Sequence, residues 1–244
     1  MSKIPTARID KLLSSLGYGS RSDVPLMAKM GRIFLDGKPV RDVSQRLQLT
    51  DDLSSRLSID RQPLDPLMGM VILMHKPVGV TCSHKESGAL VYDLLPDRWG
   101  RRTPALSSIG RLDKDTSGLL LITDDGPLLH RIISPKRHIK KTYLATLDRP
   151  LNGTEIDIFA SGTMMLNGET KPLAPAELKI VSSHQALLTI TEGRYHQVRR
   201  MFAATGNHVT QLHRTTLGGL ALPDTLAPGE WTVLSPGDIN LIFA

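Results

Sequence analysis

The spacing of apolar residues changes character once along this chain, near residues 61–69, and that change constrains the fold more than any other feature. Before it, Ile9, Leu12, Leu13 and Leu16 recur at i, i+3, i+4 and i+7, which places four aliphatics on one helical face, and Gly17 stands where a helix ends. A second helix, capped by Ser20 or Ser22 and tolerating Pro25 only in its first turn, is predicted to end at Gly31. "RIFLDGKPV" then alternates about Asp36-Gly37 as a hairpin does. After the change, short apolar strands ("MVILMH", "GLLLIT", "TYLATL", "ALLTIT") alternate with two helices, near 127–133 and 195–205. The pattern predicts an α+β chain: a small domain over 1–62 of two helices plus a hairpin, a Pro/Gly-rich linker "RQPLDPLMG" ending at 69, and a larger domain over 70–244. That larger domain is expected to hold a mixed, mostly antiparallel sheet flanked by helices.

Charge follows the same division. Residues 1–62 carry 11 Lys/Arg against 7 Asp/Glu, the remainder 19 against 17, so the small domain holds most of the excess of +6. Arg8, Lys11, Arg21, Lys29 and Arg32 are spread over it, a bias that fits either a nucleic-acid-binding surface or a solvated basic one. The lone Cys82 excludes an internal disulfide and a multi-Cys metal site, and it reads as a packing residue. His130, His138, His196, His208 and His213 have no metal-ligand spacing and read as surface or RNA-facing residues. No window approaches 18 uncharged apolar residues and the first ten residues lack a secretory apolar segment, so a cytoplasmic protein without membrane contact is expected.

Two stretches could carry chemistry. In "GRLDKDTSGLLLITDDG", residues 110–126, Asp113 lies in a loop leading into a buried strand, where rigidly held catalytic groups are often displayed. The residues alone leave two readings open, a catalytic acid or a turn carboxylate capping Thr116. "DKDT" also satisfies the Asp-x-Asp-x-Thr signature of haloacid-dehalogenase-like phosphatases. In those enzymes the apolar strand precedes the acids, whereas here it follows them, and a Mg²⁺ site would need Asp124 or Asp125 as well. In "EGRYHQVRRMFAATGNHV", residues 192–209, Val198, Met201, Phe202 and Thr205 fill one helical face and His196, Arg199 and Arg200 the other. "KRHIKKTY" and the His213-Arg214 pair add cations near aromatic rings, as a groove for unstacked RNA bases requires.

Taken together these stretches resemble the RsuA-type pseudouridine synthases, which isomerise uridines in ribosomal RNA. "GRLDKDTSGLLLITDDG", "KTYLATL" and "EGRYHQVRRMF" follow the family's three motifs in order, and "ARIDKLL" to "GRIFLDGKPV" is similar to the S4 RNA-binding module. The resemblance implies that Asp113 attacks a flipped-out uridine, that Arg199 pairs with Asp113, and that Tyr143 stacks on the base and takes part in removing the C5 proton. Arg111 would fill the space of the flipped nucleotide or hold its phosphate, with Gln197 and Arg200 as further substrate-binding residues. It further implies a monomer acting without cofactor or metal on small-subunit ribosomal RNA or an assembly intermediate, since the isomerisation changes no redox state. Enzymes acting on large-subunit RNA share the motifs, and a non-catalytic S4-type RNA binder is the alternative from another class. His75, where relatives usually carry Asn before Lys-Pro, is one departure, expected to touch loop hydrogen bonding rather than chemistry. Asp115, Asp124 and Asp125 are expected to be turn and strand-end acids.

Overall fold

The structure, a computed structural model, describes residues 4–83 and 88–244. It divides into two compact units. One runs through Met70 and takes in Leu95–Ser107 and Thr123–Asp125; the other comprises Val71–Leu94, Ser108–Ile122 and Gly126–Ala244.

The first unit opens with strand β1 (Thr6–Arg8), helix α1 (Ile9–Ser15) and helix α2 (Asp23–Lys29). The hairpin of β2 (Ile33–Leu35) and β3 (Lys38–Pro39) follows, then β4 (Arg46–Gln48), α3 (Leu53–Arg56), β5 (Leu57–Ile59) and β6 (Gln62–Pro63). Asp36 and Gly37 both take positive φ, 51° and 75°, between the paired Leu35 and Lys38, which is the two-residue turn that their sequence prescribes. The aliphatic stripe of α1 is wholly buried together with Val24, Met27, Ile33, Leu53 and Leu57. Each such side chain contributes about 1.5–3 kcal/mol through burial.

Residues 63–69, expected to be a linker, lie within this unit and are tied into it. Leu64 is buried, the Asp65 amide donates to the Tyr18 hydroxyl at 2.9 Å, and Asp65 takes both arms of Arg98 at 2.6 and 2.7 Å. The Arg98 guanidinium also lies 4.5 Å from the Tyr18 ring centroid. Arg102 and Asp124 form a fully buried pair at 2.7 Å, and Asp124 accepts the Gly69 amide as well. Residues 95–107 and 123–125 thus cluster with the first unit although the expected boundaries assign them to the second. Proline and glycine content signals a break in periodicity, but it cannot show that Asp65 and Asp124 have cationic partners far along the chain.

The second unit is built on a sheet ordered β11-β12-β10-β13-β9-β7-β15. In chain order these strands are β7 (Val71–Lys76), β8 (Ser107–Ile109), β9 (Thr116–Thr123), β10 (Lys141–Leu147), β11 (Glu177–Ser182), β12 (Gln185–Ile190), β13 (Val209–Leu217), β14 (Leu220–Ala221) and β15 (Trp231–Val233), with β8 on β9 and β14 on β13. The β13–β9 pair is parallel, whereas β10–β12, β10–β13, β11–β12 and β15–β7 are antiparallel, so the sheet is mixed and mostly antiparallel. Helices α4 (Gly126–Ile133), α5 (Thr154–Ala160), α6 (Gln197–Ala204) and α7 (Pro236–Leu241) accompany it. The apolar run of β9 is continuously buried from Gly118 to Thr123, as a central strand covered on both faces must be.

Candidate active site

Asp113 is displayed where the 110–115 loop enters the centre of this sheet. The loop is held from beneath: the buried Lys76 ammonium donates to the carbonyls of Pro77 at 2.9 Å, Lys114 at 3.4 Å and Thr116 at 2.8 Å. Burial pushes this ammonium below its ordinary pKa, while Cys82, Asp113 and Asp115 act in the opposite direction. The Gly79 amide donates to the Lys114 carbonyl and the Thr116 amide to that of Asp113. Cys82 is buried, with its thiol pushed up by burial, in keeping with packing rather than nucleophilic reactivity.

Above the loop opens a cavity of about 470 Å³ whose walls include Arg111, Asp113, Thr116, Lys141, Tyr143, Gln197 and Arg214. The Asp113 side chain is one-third exposed into it, and Tyr143 is buried at its wall. Arg111 is exposed, a position suited to backbone phosphate. Tyr195, largely exposed, stacks on His196 with ring centroids 3.9 Å apart, and His196 Nε2 comes within 3.4 Å of Asp113 Oδ1. His196 holds φ of +48° at the head of α6, the kind of backbone strain that persists where neighbouring structure dictates the position.

The expected pairing of Arg199 with Asp113 is not formed. Arg199 meets the Asp115 carboxylate at 2.8 Å and donates to the carbonyls of Val209 and Asp115, and it is not among the residues that line the cavity. One turn of helix separates it from His196, so the group that faces Asp113 is the imidazole and the guanidinium reaches past it to the back of the loop. Asp115 is accordingly an anchoring carboxylate.

Arg200 is likewise engaged within the protein, with Glu169 at 3.1 Å and with the carbonyls of Tyr195 and Asn167, away from the cavity. Gln197 lines the cavity, but its amide donates to Glu192 and its carbonyl accepts the Arg194 amide. The cationic face expected on α6 is thus spent on loop contacts while Val198, Met201 and Phe202 are buried as expected.

The motifs assign no individual role to Thr116, Lys141 or Arg214, although the sequence counts Lys141 and Arg214 among the cations of a groove. All three line the cavity, and Arg214 is 2% exposed. The signal for Arg214 is a cation at an inward position of an apolar strand, between buried Leu212 and Leu217. His213, expected at the surface, is half-buried, with Nδ1 2.9 Å from the Ser117 hydroxyl and its ring 5.3 Å from that of His75. Burial and His75 lower its pKa, favouring the neutral ring. His75 itself donates Nδ1–H to the Leu226 carbonyl at 2.7 Å, so the departure from Asn is satisfied by backbone.

In the first unit, Arg8 and Arg21 both approach the buried Asp10, at 2.8 and 3.5 Å, and Arg32 is bidentate to Asp60. Lys11 and Lys29 are exposed.

Comparison with known proteins shows the family to which the chain belongs. Residues 70–204 match the family model described as RNA pseudouridylate synthase, and residues 7–53 match the S4 domain. The chain is 40% identical to ribosomal small subunit pseudouridine synthase A of Yersinia pestis, covering 97% of this chain and 98% of that protein. It is also 40% identical to the uncharacterized RNA pseudouridine synthase YtzG of Bacillus subtilis, covering 96% and 98%. A crystal structure described as a pseudouridylate synthase superposes with a TM-score of 0.67 at 35% identity, over 96% of this chain and 99% of that one. The chain belongs to the RNA pseudouridylate synthase family and carries an S4 domain at its N-terminus.

Proposed function

We propose that this chain isomerises a uridine of small-subunit ribosomal RNA to pseudouridine, with Asp113 as nucleophile. The observation that carries the reading is the meeting of Asp113 and Tyr143 in one cavity of about 470 Å³, in a chain that aligns over nearly its full length with small-subunit enzymes. A uracil inside an RNA helix cannot present C1′ and C5 to a carboxylate, so it must be extruded, at a cost of a few kcal/mol recovered by stacking and phosphate contacts. Tyr143 offers the stacking surface, worth about 1–3 kcal/mol per base, and a phenol near C5. Arg111 holds the displaced backbone. Arg199 acts through the loop, fixing Asp115 and with it the approach of Asp113. Gln197 lines the cavity, and Arg200 steadies Glu169, the carboxylate that Arg194 of the cavity wall also meets. Arg8, Lys11, Arg21, Lys29 and Arg32 supply phosphate contacts from the S4 domain, and the enzyme works as a cytoplasmic monomer on naked RNA or an assembly intermediate.

The test is product formation on unmodified transcripts of the two ribosomal RNAs. The expected result is one new pseudouridine in the small-subunit transcript and none in the large. Modification of the large-subunit RNA alone would transfer the chain to that substrate, and tight binding without product on either would make it an RNA-binding protein.

A further inference from the structure

The floor of the cavity holds polar groups that find no partner among the described residues. Arg214 donates Nε–H to the Leu119 carbonyl at 2.7 Å, but its buried Nη2 meets no acceptor there, and neither does the buried Thr116 hydroxyl. Such orphaned groups are uncommon in folded proteins and call for an explanation. Strand register brings the two together. A bulge at Thr215 sets Arg214 directly opposite Tyr143 across β10 and β13, and on its other side Arg214 faces Gly118, two residues along from the Thr116–Leu212 pair. Thr116 and Arg214 therefore share one face as diagonal neighbours. Gly118 permits this close approach: at φ +108°, a Cβ there would stand 2.3 Å from the Arg214 carbonyl oxygen. Lys141, also in the wall, is pushed to lower pKa by burial and by Arg214, against Glu192.

We propose that Arg214 is a substrate-binding residue that donates a hydrogen bond to a ring carbonyl oxygen of the extruded uracil, with the Thr116 hydroxyl meeting the adjoining imide edge. The proposal rests on the functional reading above and adds how the base is recognised. Depth favours a flat base over a phosphate, because Arg214, 2% exposed, lies at the floor of the cavity and not at its rim. A base stacked on Tyr143 points its edge at the residue across the strand pair, which is Arg214. Uracil offers carbonyl acceptors at positions 2 and 4; a contact at position 4 also refuses cytosine, whose amino donor there would face a donor-only guanidinium and leave both unpaired. The contact also serves the chemistry. Asp113 bonds to C1′ as N1–C1′ breaks, and the electron pair of the broken bond enters the ring and spreads onto the carbonyl oxygens; C5 then bonds to C1′ as the Asp113–C1′ bond breaks and the carboxylate leaves. The C5 proton is lost and N1 takes one up. A guanidinium fixed at a carbonyl stabilises the ring while it carries that charge.

The test uses small-subunit ribosomal RNA transcripts in which uridine is replaced by 2-thiouridine or 4-thiouridine, since sulfur accepts hydrogen bonds poorly. One of the two replacements is expected to lower wild-type kcat/KM about tenfold, the loss of one good hydrogen bond. That penalty should vanish in Arg214→Gln, whose turnover of unsubstituted RNA is already down about 100-fold with RNA affinity retained. If Arg214→Gln fails to give a native melting transition, Arg214→Met, of similar length and without a donor, carries the same comparison. Indifference of the wild type to both replacements overturns the proposal, as does a penalty of equal size in wild type and variant. Failure of the wild type to convert the unsubstituted transcript would instead sink the functional reading, and this proposal with it.

Discussion

Asp113 and Asp115 stand two residues apart on one loop and meet different partners, Asp113 the imidazole of His196 and Asp115 the guanidinium of Arg199. That division assigns Arg199 a positioning role. Arg199→Gln releases both the Asp115 carboxylate and the Val209 carbonyl, and a loop displacement of the order of 1 Å can cost about 100-fold in turnover. We expect kcat to fall by about that factor with KM changed less than about threefold. Asp115→Asn should approach the same value, and the double variant should be no slower than the slower single, because both remove one contact. Additive losses in steady-state kinetics would show that Arg199 acts elsewhere. Asp113 and Tyr143 were legible in the sequence because short motifs name them. The partner of Arg199 was not, since one helical turn decides whether a guanidinium reaches residue 113 or 115. Arg214 reads in the sequence only as one more cation of a groove for a similar reason: without the bulge at Thr215, nothing in "QLHRTTL" fixes which side chains turn inward.

At the scale of elements, the site depends on how closely β9 and β13 approach, and Gly118 sets that distance. Its φ of +108° is one that L side chains rarely adopt, and its missing Cβ leaves room for the β13 backbone at Arg214. Gly118→Ala is therefore expected to destabilise the fold by about 2–4 kcal/mol, read as a lowered midpoint in urea unfolding. A change within the roughly 0.5 kcal/mol typical of surface substitutions would contradict the stated packing. Helices α1, α4 and α6 and the β2–β3 hairpin were readable from periodicity and turn residues. The packing of residues 63–69, 95–107 and 123–125 into the first unit was not, because it rests on Arg98–Asp65 and Arg102–Asp124, pairs 33 and 22 residues apart in sequence.

For the whole molecule, the account divides labour: phosphate contacts in the S4 domain hold RNA, and the larger unit performs the isomerisation. Lys11→Gln and Lys29→Gln should each reduce the slope of log affinity against log salt by about one. Arg8→Gln and Arg32→Gln should reduce it less, because those guanidinium groups already face Asp10 and Asp60. Equal effects from all four, measured by RNA titration across salt concentrations, would mean that those ion pairs open on binding. The central claim, that the carboxylate at 113 performs the chemistry and does not hold the RNA, is tested most directly by Asp113→Asn assayed for binding and for product on the same small-subunit transcript. The account predicts affinity within about twofold of wild type and no detectable pseudouridine. Pseudouridine formed at a rate near that of the wild type would contradict it.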